Sequence, residues 1–189
     1  VHVFMHNKLE WALHSNGQRA DRYLPLWFVE GLAEFYSTEW DAQAEMVLRD
    51  AVLSGYFAPL SYIYAISGSF LMYKEGQDAL GFIAREFGRE KIVQIIDNFW
   101  VSEDFQEVLR YTLGVGYEEF DRRWVRDLRK RFYPLVETHD RPRDAGVAFV
   151  PYGFNAKPVY YKRGDSSYVV YVANNTGYSG VYMKSLSGG

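Results

Sequence analysis

The sequence predicts a mainly helical domain followed by a small antiparallel β unit. Apolar side chains recur at helical spacing over positions 1–133, whereas the residues beyond Pro134 are rich in Tyr, Val, Gly, Asn and Ser and alternate as strands do. The polar stretch 136–145 separates the two patterns. We therefore expect a helical domain at 1–135, a linker at 136–145 and a β unit at 146–189.

Composition restricts the class of protein. The 189 residues are 48% hydrophobic and 18% aromatic with a net charge of −3, as in ordered globular proteins. A nucleic-acid-binding face should be strongly basic, so we expect no nucleic acid partner. No apolar run approaches the roughly 18 residues of a transmembrane helix. Because the sequence has no cysteine, a bound transition metal would need histidine and carboxylate ligands.

Helix signals divide the first 133 residues. Pro25 suits the first position of a helix, where its missing N–H would be unpaired anyway, and Asp41 suits an N-cap. The opening helix has no cap before Val1, so we expect it to begin upstream and the chain to be a fragment cut at both ends. The predicted helices span positions 1–14, 24–38, 42–52, 62–75, 78–87, 90–100, 102–112 and 117–132.

Three alternating segments predict the β unit. They cover positions 158–162, 168–173 and 180–186, and turn-forming residues at 163–167 and 174–179 join them. Three such strands make one small antiparallel sheet.

The segment 24–37 contains two carboxylates in an apolar helix. Its apolar residues cover nearly every side, which predicts burial all round, and Glu30 and Glu34 lie one turn apart on one face. A buried unpaired carboxylate is costly, so each should bind a metal, pair with a cation or stay protonated. Gly31 costs roughly 1 kcal/mol relative to alanine in a helix, which indicates close approach of another element.

The first helix offers a partner for this face. His2 and His6 are four residues apart and share one side of the helix, but no glutamate lies between them to act as a base. This spacing alone is a weak metal signal, and we expect His6, His14 and His139 to be surface or packing side chains.

Two stretches together resemble the core of the gluzincin-type (peptidase MA-like) zinc metallopeptidases. They are Val1-His2-Val3-Phe4-Met5 and Leu26-Trp27-Phe28-Val29-Glu30-Gly31-Leu32-Ala33-Glu34-Phe35-Tyr36. That family carries His-Glu-x-x-His on one helix and a glutamate on the next. The resemblance implies that His2 is the second histidine, that Glu30 is the third zinc ligand, and that Glu34 accepts a hydrogen bond from a ligand histidine. The first histidine and the catalytic glutamate would then precede Val1, and no catalytic residue lies within the chain.

The resemblance implies the helical C-terminal part of a zincin-like domain, binding one zinc ion in the intact parent. The activity would be hydrolysis of a peptide or protein substrate by metal-activated water, and the truncated chain alone would be inactive. Structural alternatives remain open: Glu30 could pair with an arginine, and Glu34 could form an ordinary salt bridge. Tyr62, Tyr64 and Tyr73 are available to stabilise an oxyanion, with no reason to choose among them.

The β unit resembles the first blade of a TolB-like, WD40-type β-propeller. Pro158-Val159-Tyr160, the run 168–172 and the run 181–186 follow the blade order, whereas Lys162-Arg163-Gly164-Asp165 replaces the usual turn. Because a propeller needs about four to eight blades, the resemblance implies a longer parent protein. It also implies a bacterial protein in the periplasm or outside the cell, with a possible protein partner on the propeller.

Two other functions are considered. In the first, the helical domain is a degenerate peptidase and the propeller makes the protein a non-catalytic binding scaffold. A residue other than glutamate at the base position before Val1 would favour it. In the second, Glu30 and Glu34 hydrolyse a glycosidic bond, which is weaker because the two carboxylates must flank that bond and here share one helix face.

Overall fold

The computed structural model describes residues 1–138, 140, 145–151, 153, 155–174 and 177–186. These residues are mainly helical, with a small three-stranded antiparallel sheet near the C-terminus, which confirms the predicted fold class at that level. The chain divides into two compact units, Val1–Thr138 and His139–Gly189. The division falls inside the predicted linker, of which positions 139 and 141–144 lie outside the described residues.

The helical unit is built around one apolar core, to which every α-helix contributes. Its largest fully buried side chains include Phe28, Phe82, Phe120, Trp124 and Phe132. In chain order the helices are α1 His2–Ser15, α2 Leu26–Ser37, α3 Ala42–Ser54, α4 Phe70–Glu86, α5 Glu90–Asp97, α6 Phe105–Leu113 and α7 Tyr117–Thr138, with short 3-10 helices at Ile63–Ile66 and Phe99–Val101. Within the described residues, no helix combines the length and apolar character that crossing a bilayer requires.

Helix α4 differs from its prediction. The sequence predicted two helices at 62–75 and 78–87, but α4 runs unbroken over Phe70–Glu86, and only a 3-10 turn precedes it. The two predicted ranges left Gly76 and Gln77 between them as a break. In the structure the side chains of Glu75, Gln77 and Asp78 are all buried, so these polar residues belong to the buried middle of one continuous helix.

Helix α7 also differs, because it continues beyond the predicted end at Phe132 to Thr138 with Pro134 inside it. A proline removes one helical hydrogen bond and leaves the carbonyl four residues earlier unpaired. That carbonyl belongs to Lys130, and both Lys130 and Pro134 lie on the exposed side of the helix, where water can replace the lost bond.

The backbones of α2 and α4 approach each other closely at Gly31 and Gly76. A Cβ atom on Gly31 would lie 2.6 Å from the carbonyl carbon of Gly76, and one on Gly76 would lie 2.5 Å from the carbonyl oxygen of Trp27. Neither distance is possible for a real side chain, so only glycine fits at both positions. The crossing confirms the close approach predicted at Gly31.

Helix α2 is buried on one side only, so the prediction that it is buried all round is wrong. Trp27, Phe28 and Leu32 point into the core, but Leu26 is 45% exposed and Tyr36 is 42% exposed. The reason is that α4 covers one side of α2 and leaves the other at the surface of the unit. Glu30 and Glu34 are therefore partly accessible, each with a side chain 21% exposed.

Buried carboxylates fasten the segment between α3 and α4. Asp121 of α7 accepts hydrogen bonds from the backbone N–H groups of Leu60 at 2.8 Å and Ser61 at 3.1 Å, and from the Ser61 hydroxyl at 2.6 Å. Glu75 of α4 accepts one from the N–H of Ala58 at 3.1 Å, while its other oxygen has no hydrogen-bond partner among the described residues. Burial, and to a smaller extent the negative charge of Asp78, raise the pKa of Glu75 to about 8.

The β unit contains the predicted sheet, with strand order β1-β2-β3. The strands are β1 Asn155–Arg163, β2 Ser166–Ala173 and β3 Gly180–Ser185, and both pairs are antiparallel. The register puts Val159, Val170 and Met183 side by side, with an irregularity between Ala156 and Val159. Positions 175 and 176 of the predicted second turn lie outside the described residues.

Replacing Gly31 by alanine should destabilise the helical unit by about 2 kcal/mol, because the new methyl group would meet backbone atoms that cannot move aside. Urea denaturation followed by circular dichroism measures the free energy of unfolding. Gly81→Ala in α4 is the matched control, since its Cβ would meet only the flexible end of Arg85 at 3.3 Å. Equal losses in the two variants would contradict a constraint specific to the crossing.

Replacing Glu75 by glutamine should stabilise the protein more at alkaline than at acidic pH. A carboxyl group whose folded pKa of about 8 lies above its unfolded value costs stability as the pH rises from about 4.5 to about 8. Glutamine cannot ionise, so the difference in unfolding free energy between variant and wild type should grow by roughly 3 kcal/mol between pH 5 and pH 8. A difference that does not vary with pH would contradict a buried neutral carboxyl group. Urea denaturation at the two pH values measures it.

Candidate functional site

The structure brings together the two residues proposed as metal ligands. His2 Nε2 of α1 lies 3.7 Å from Glu30 Oε2 of α2, and the two side chains are 48% and 21% exposed. A separation of 3.7 Å is too long for a hydrogen bond. The pair is therefore an open arrangement of one nitrogen and one oxygen donor at the surface.

Local structure explains why His2 faces α2. His2 continues the stripe of α1 that buries Met5 and Leu9, since residues three and seven positions apart share one side of a helix. His6, at the edge of that stripe, is exposed, and His14 is an exposed residue whose ring nitrogen lies 3.0 Å from the Glu10 carbonyl oxygen. Both fit the expectation of surface histidines, while His139 lies outside the described residues.

Two features determine the position of Glu30: the residue at which α2 begins and the crossing of α2 with α4. Pro25 is the N-cap rather than a helical residue, so α2 begins at Leu26 and not at the predicted position 24. The Pro25 carbonyl accepts a hydrogen bond from the N–H of Val29 at 3.1 Å. The contact of Gly31 with Gly76 then fixes the rotation of α2 about its axis. Glu30, beside Gly31 in sequence, is consequently held at the edge of the crossing rather than in the core.

Glu34 forms an ion pair across the same two helices. Its Oε2 accepts hydrogen bonds from Lys74 Nζ at 2.7 Å and from the Thr38 hydroxyl at 2.8 Å. Partial burial acts in the opposite direction, but these hydrogen bonds and the charge of Lys74 together lower the pKa of Glu34. This contact is the salt-bridge alternative considered for Glu34, and its bond to a ligand histidine stays a prediction.

The sequence patterns did not predict a role for Lys74 or Gln77. The Lys74 residue is only 7% exposed, and its ammonium also donates to Gln77 Oε1 at 3.3 Å. The Gln77 amide in turn donates to the carbonyl oxygens of Glu34 at 3.4 Å and Thr38 at 3.3 Å, which ties the end of α2 to α4. The sequence contains a signal for them, because the polar residues Lys74, Glu75, Gln77 and Asp78 sit in an otherwise apolar run.

The donor set of His2 and Glu30 fits part of a zinc site. Two ligands at about 2.0 Å from a tetrahedral zinc ion are roughly 3.3 Å apart, and the observed 3.7 Å requires only a small shift. In the described part of the chain, no three His, Asp or Glu side chains are grouped so that they could hold a metal ion. The arrangement supplies two donors and leaves other coordination positions open.

Comparison of the chain with protein-family models, with curated proteins and with solved structures found no match. Interpretation of the site therefore depends on its residues, their geometry and the resemblance of the two helical segments.

Proposed function

We propose that this chain contributes His2 and Glu30 to the zinc centre of a metallopeptidase. The approach of His2 Nε2 to Glu30 Oε2 at 3.7 Å, from two separate helices, carries the proposal. Two histidines and one glutamate form one of the ligand sets of hydrolytic zinc sites, and this pair accounts for one ligand of each kind. The other histidine and the glutamate base are proposed to lie immediately before Val1.

The roles of this chain's residues follow from their positions. A zinc ion bound there would polarise the carbonyl group of a peptide substrate and lower the pKa of the water molecule coordinated to the ion. His2 would bind through Nε2 and Glu30 through Oε2, and the core packing of Met5 and Phe28 would fix the two helices that carry them. The partial exposure of both side chains leaves room for a substrate.

A second candidate function, a binding scaffold, is supported by the β unit. One face of the sheet carries Val159, Val181 and Met183, which are 59%, 76% and 60% exposed, and Tyr161, which is 46% exposed. An exposed apolar sheet face is a feature of surfaces that pack against another element. In this alternative the helical unit has lost catalysis and the propeller-like unit binds a protein.

Zinc binding to the chain tests the first proposal. We expect the wild-type chain to bind zinc weakly, as measured by competition with a chromogenic chelator. Zinc affinity should fall by at least about tenfold in Glu30→Gln and in His2→Ala, because removing a direct ligand should reduce affinity at least as much as removing an outer contact does. His6→Ala is the matched control on the same helix and should bind as the wild type does. The terminal amine and His2 could together hold zinc without Glu30, so the Glu30→Gln variant decides: unchanged binding in it contradicts the site.

The coding sequence before Val1 provides an independent test. We expect the three preceding residues to be His-Glu-x, which with Val1 and His2 completes the zinc-binding motif and supplies the general base. Sequencing the source gene across this junction measures it. A histidine without the glutamate would favour the scaffold, and the absence of both would contradict a metallopeptidase.

A further inference from the structure

Lys74 places a positive charge against Glu34, which lies one helical turn from the proposed metal ligand Glu30. Its side chain is 9% exposed, and its ammonium lies 2.7 Å from Glu34 Oε2 and 5.4 Å from the centre of the Phe70 ring. A lysine this buried loses hydration and side-chain freedom, and it is retained only where a carboxylate compensates for that loss. The ammonium and Glu34 therefore form a fixed pair.

Glu34 would otherwise be available to a metal held by Glu30. The two carboxylates are four residues apart in α2, so they lie on one face of the helix as neighbours. Each side chain is 21% exposed, so both carboxylates are accessible to a cation from solvent. The difference between them is the partner: Glu30 faces a histidine, whereas Glu34 faces a lysine.

We propose that Lys74 acts as an internal counter-cation that withholds Glu34 from the metal, so that Glu30 is the only carboxylate that α2 supplies. The inference rests on the proposed zinc site at His2 and Glu30. Its consequence is an open coordination position, because a second carboxylate from α2 would occupy the place that a hydrolytic zinc site keeps for water. Lys74 is thus a positioning residue that acts on the metal through Glu34.

Zinc affinity of the full 189-residue chain and its Lys74→Met variant tests this inference. Methionine keeps much of the apolar stem and removes the charge, so Glu34 keeps its hydrogen bond from Thr38 and can bind a cation. We expect Lys74→Met to bind zinc at least about tenfold more tightly than the wild type, on the scale by which outer contacts change metal affinity. In NMR spectra, the His2 imidazole signals should shift at lower zinc concentration in the variant. Thermal unfolding without zinc checks that the variant is folded.

Two further variants separate this effect from a general change of charge. Lys130→Met removes an exposed lysine from α7 and should leave zinc affinity unchanged. The double variant Lys74→Met with Glu34→Gln should return to the affinity of the wild type, because the added ligand is gone. Retention of the gain in the double variant, or unchanged or weaker binding in Lys74→Met, would overturn the inference.

The same measurements distinguish this inference from the proposed function. If Glu30→Gln abolishes zinc binding in the wild type but Lys74→Met brings no gain, the zinc site stands and the role of Lys74 is wrong. If the wild type shows no Glu30-dependent binding but Lys74→Met gains binding that needs both Glu30 and Glu34, Lys74 does withhold Glu34 and the native site is not a zinc site. If no variant binds zinc, both are wrong.

Discussion

The crossing of α2 and α4 at Gly31 and Gly76 is the constraint on which the rest of the helical unit depends. Because neither residue has a Cβ, the two backbones meet directly and the rotation of each helix is fixed. This rotation sets Lys74 opposite Glu34 and Gln77 opposite the last carbonyls of α2. It also leaves Glu30 at the edge of the contact, where the start of α1 brings His2 within 3.7 Å.

Polar residues inside α4 show how the unit accommodates buried charge. Asp78 is satisfied by Trp124 Nε1 at 2.8 Å and Arg131 Nη1 at 2.7 Å, so the charge of this acid is neutralised by α7. Within the described part of the chain, Glu75 has one backbone donor and no cationic partner, and burial raises its pKa to about 8. A buried carboxyl group with too few hydrogen-bond partners and no nearby cation stays protonated at neutral pH. Two acids one turn apart on α4 thus have different partners: an indole and a guanidinium for Asp78, and one backbone N–H for Glu75.

The pairs around α2 differ in the same way. Glu34 has a lysine and a hydroxyl group within 2.8 Å, and its charge is compensated inside the protein. Among the described residues, the polar partner of Glu30 is the His2 imidazole at 3.7 Å, which is too far for a hydrogen bond, so the carboxylate oxygens of Glu30 remain accessible to a cation. The proposed zinc ligands are therefore Glu30 and His2, whereas Glu34 and Lys74 form an ion pair between α2 and α4.

Local signals in the sequence determined much of the fold, because their causes act within a few residues. The Asp41 cap accepts the Ala44 N–H at 2.8 Å, Gly31 marks a helix crossing, and alternating residues form the three strands. The resemblance of two helical segments to the zinc metallopeptidases pointed to His2 and Glu30 as candidate metal ligands. Tertiary structure alone decided that α4 is continuous, that α2 is buried on one side, and that Lys74 neutralises Glu34 from 40 residues away. These features depend on which face each helix turns to its neighbour, and packing of the whole core, rather than periodicity along one segment, fixes that choice.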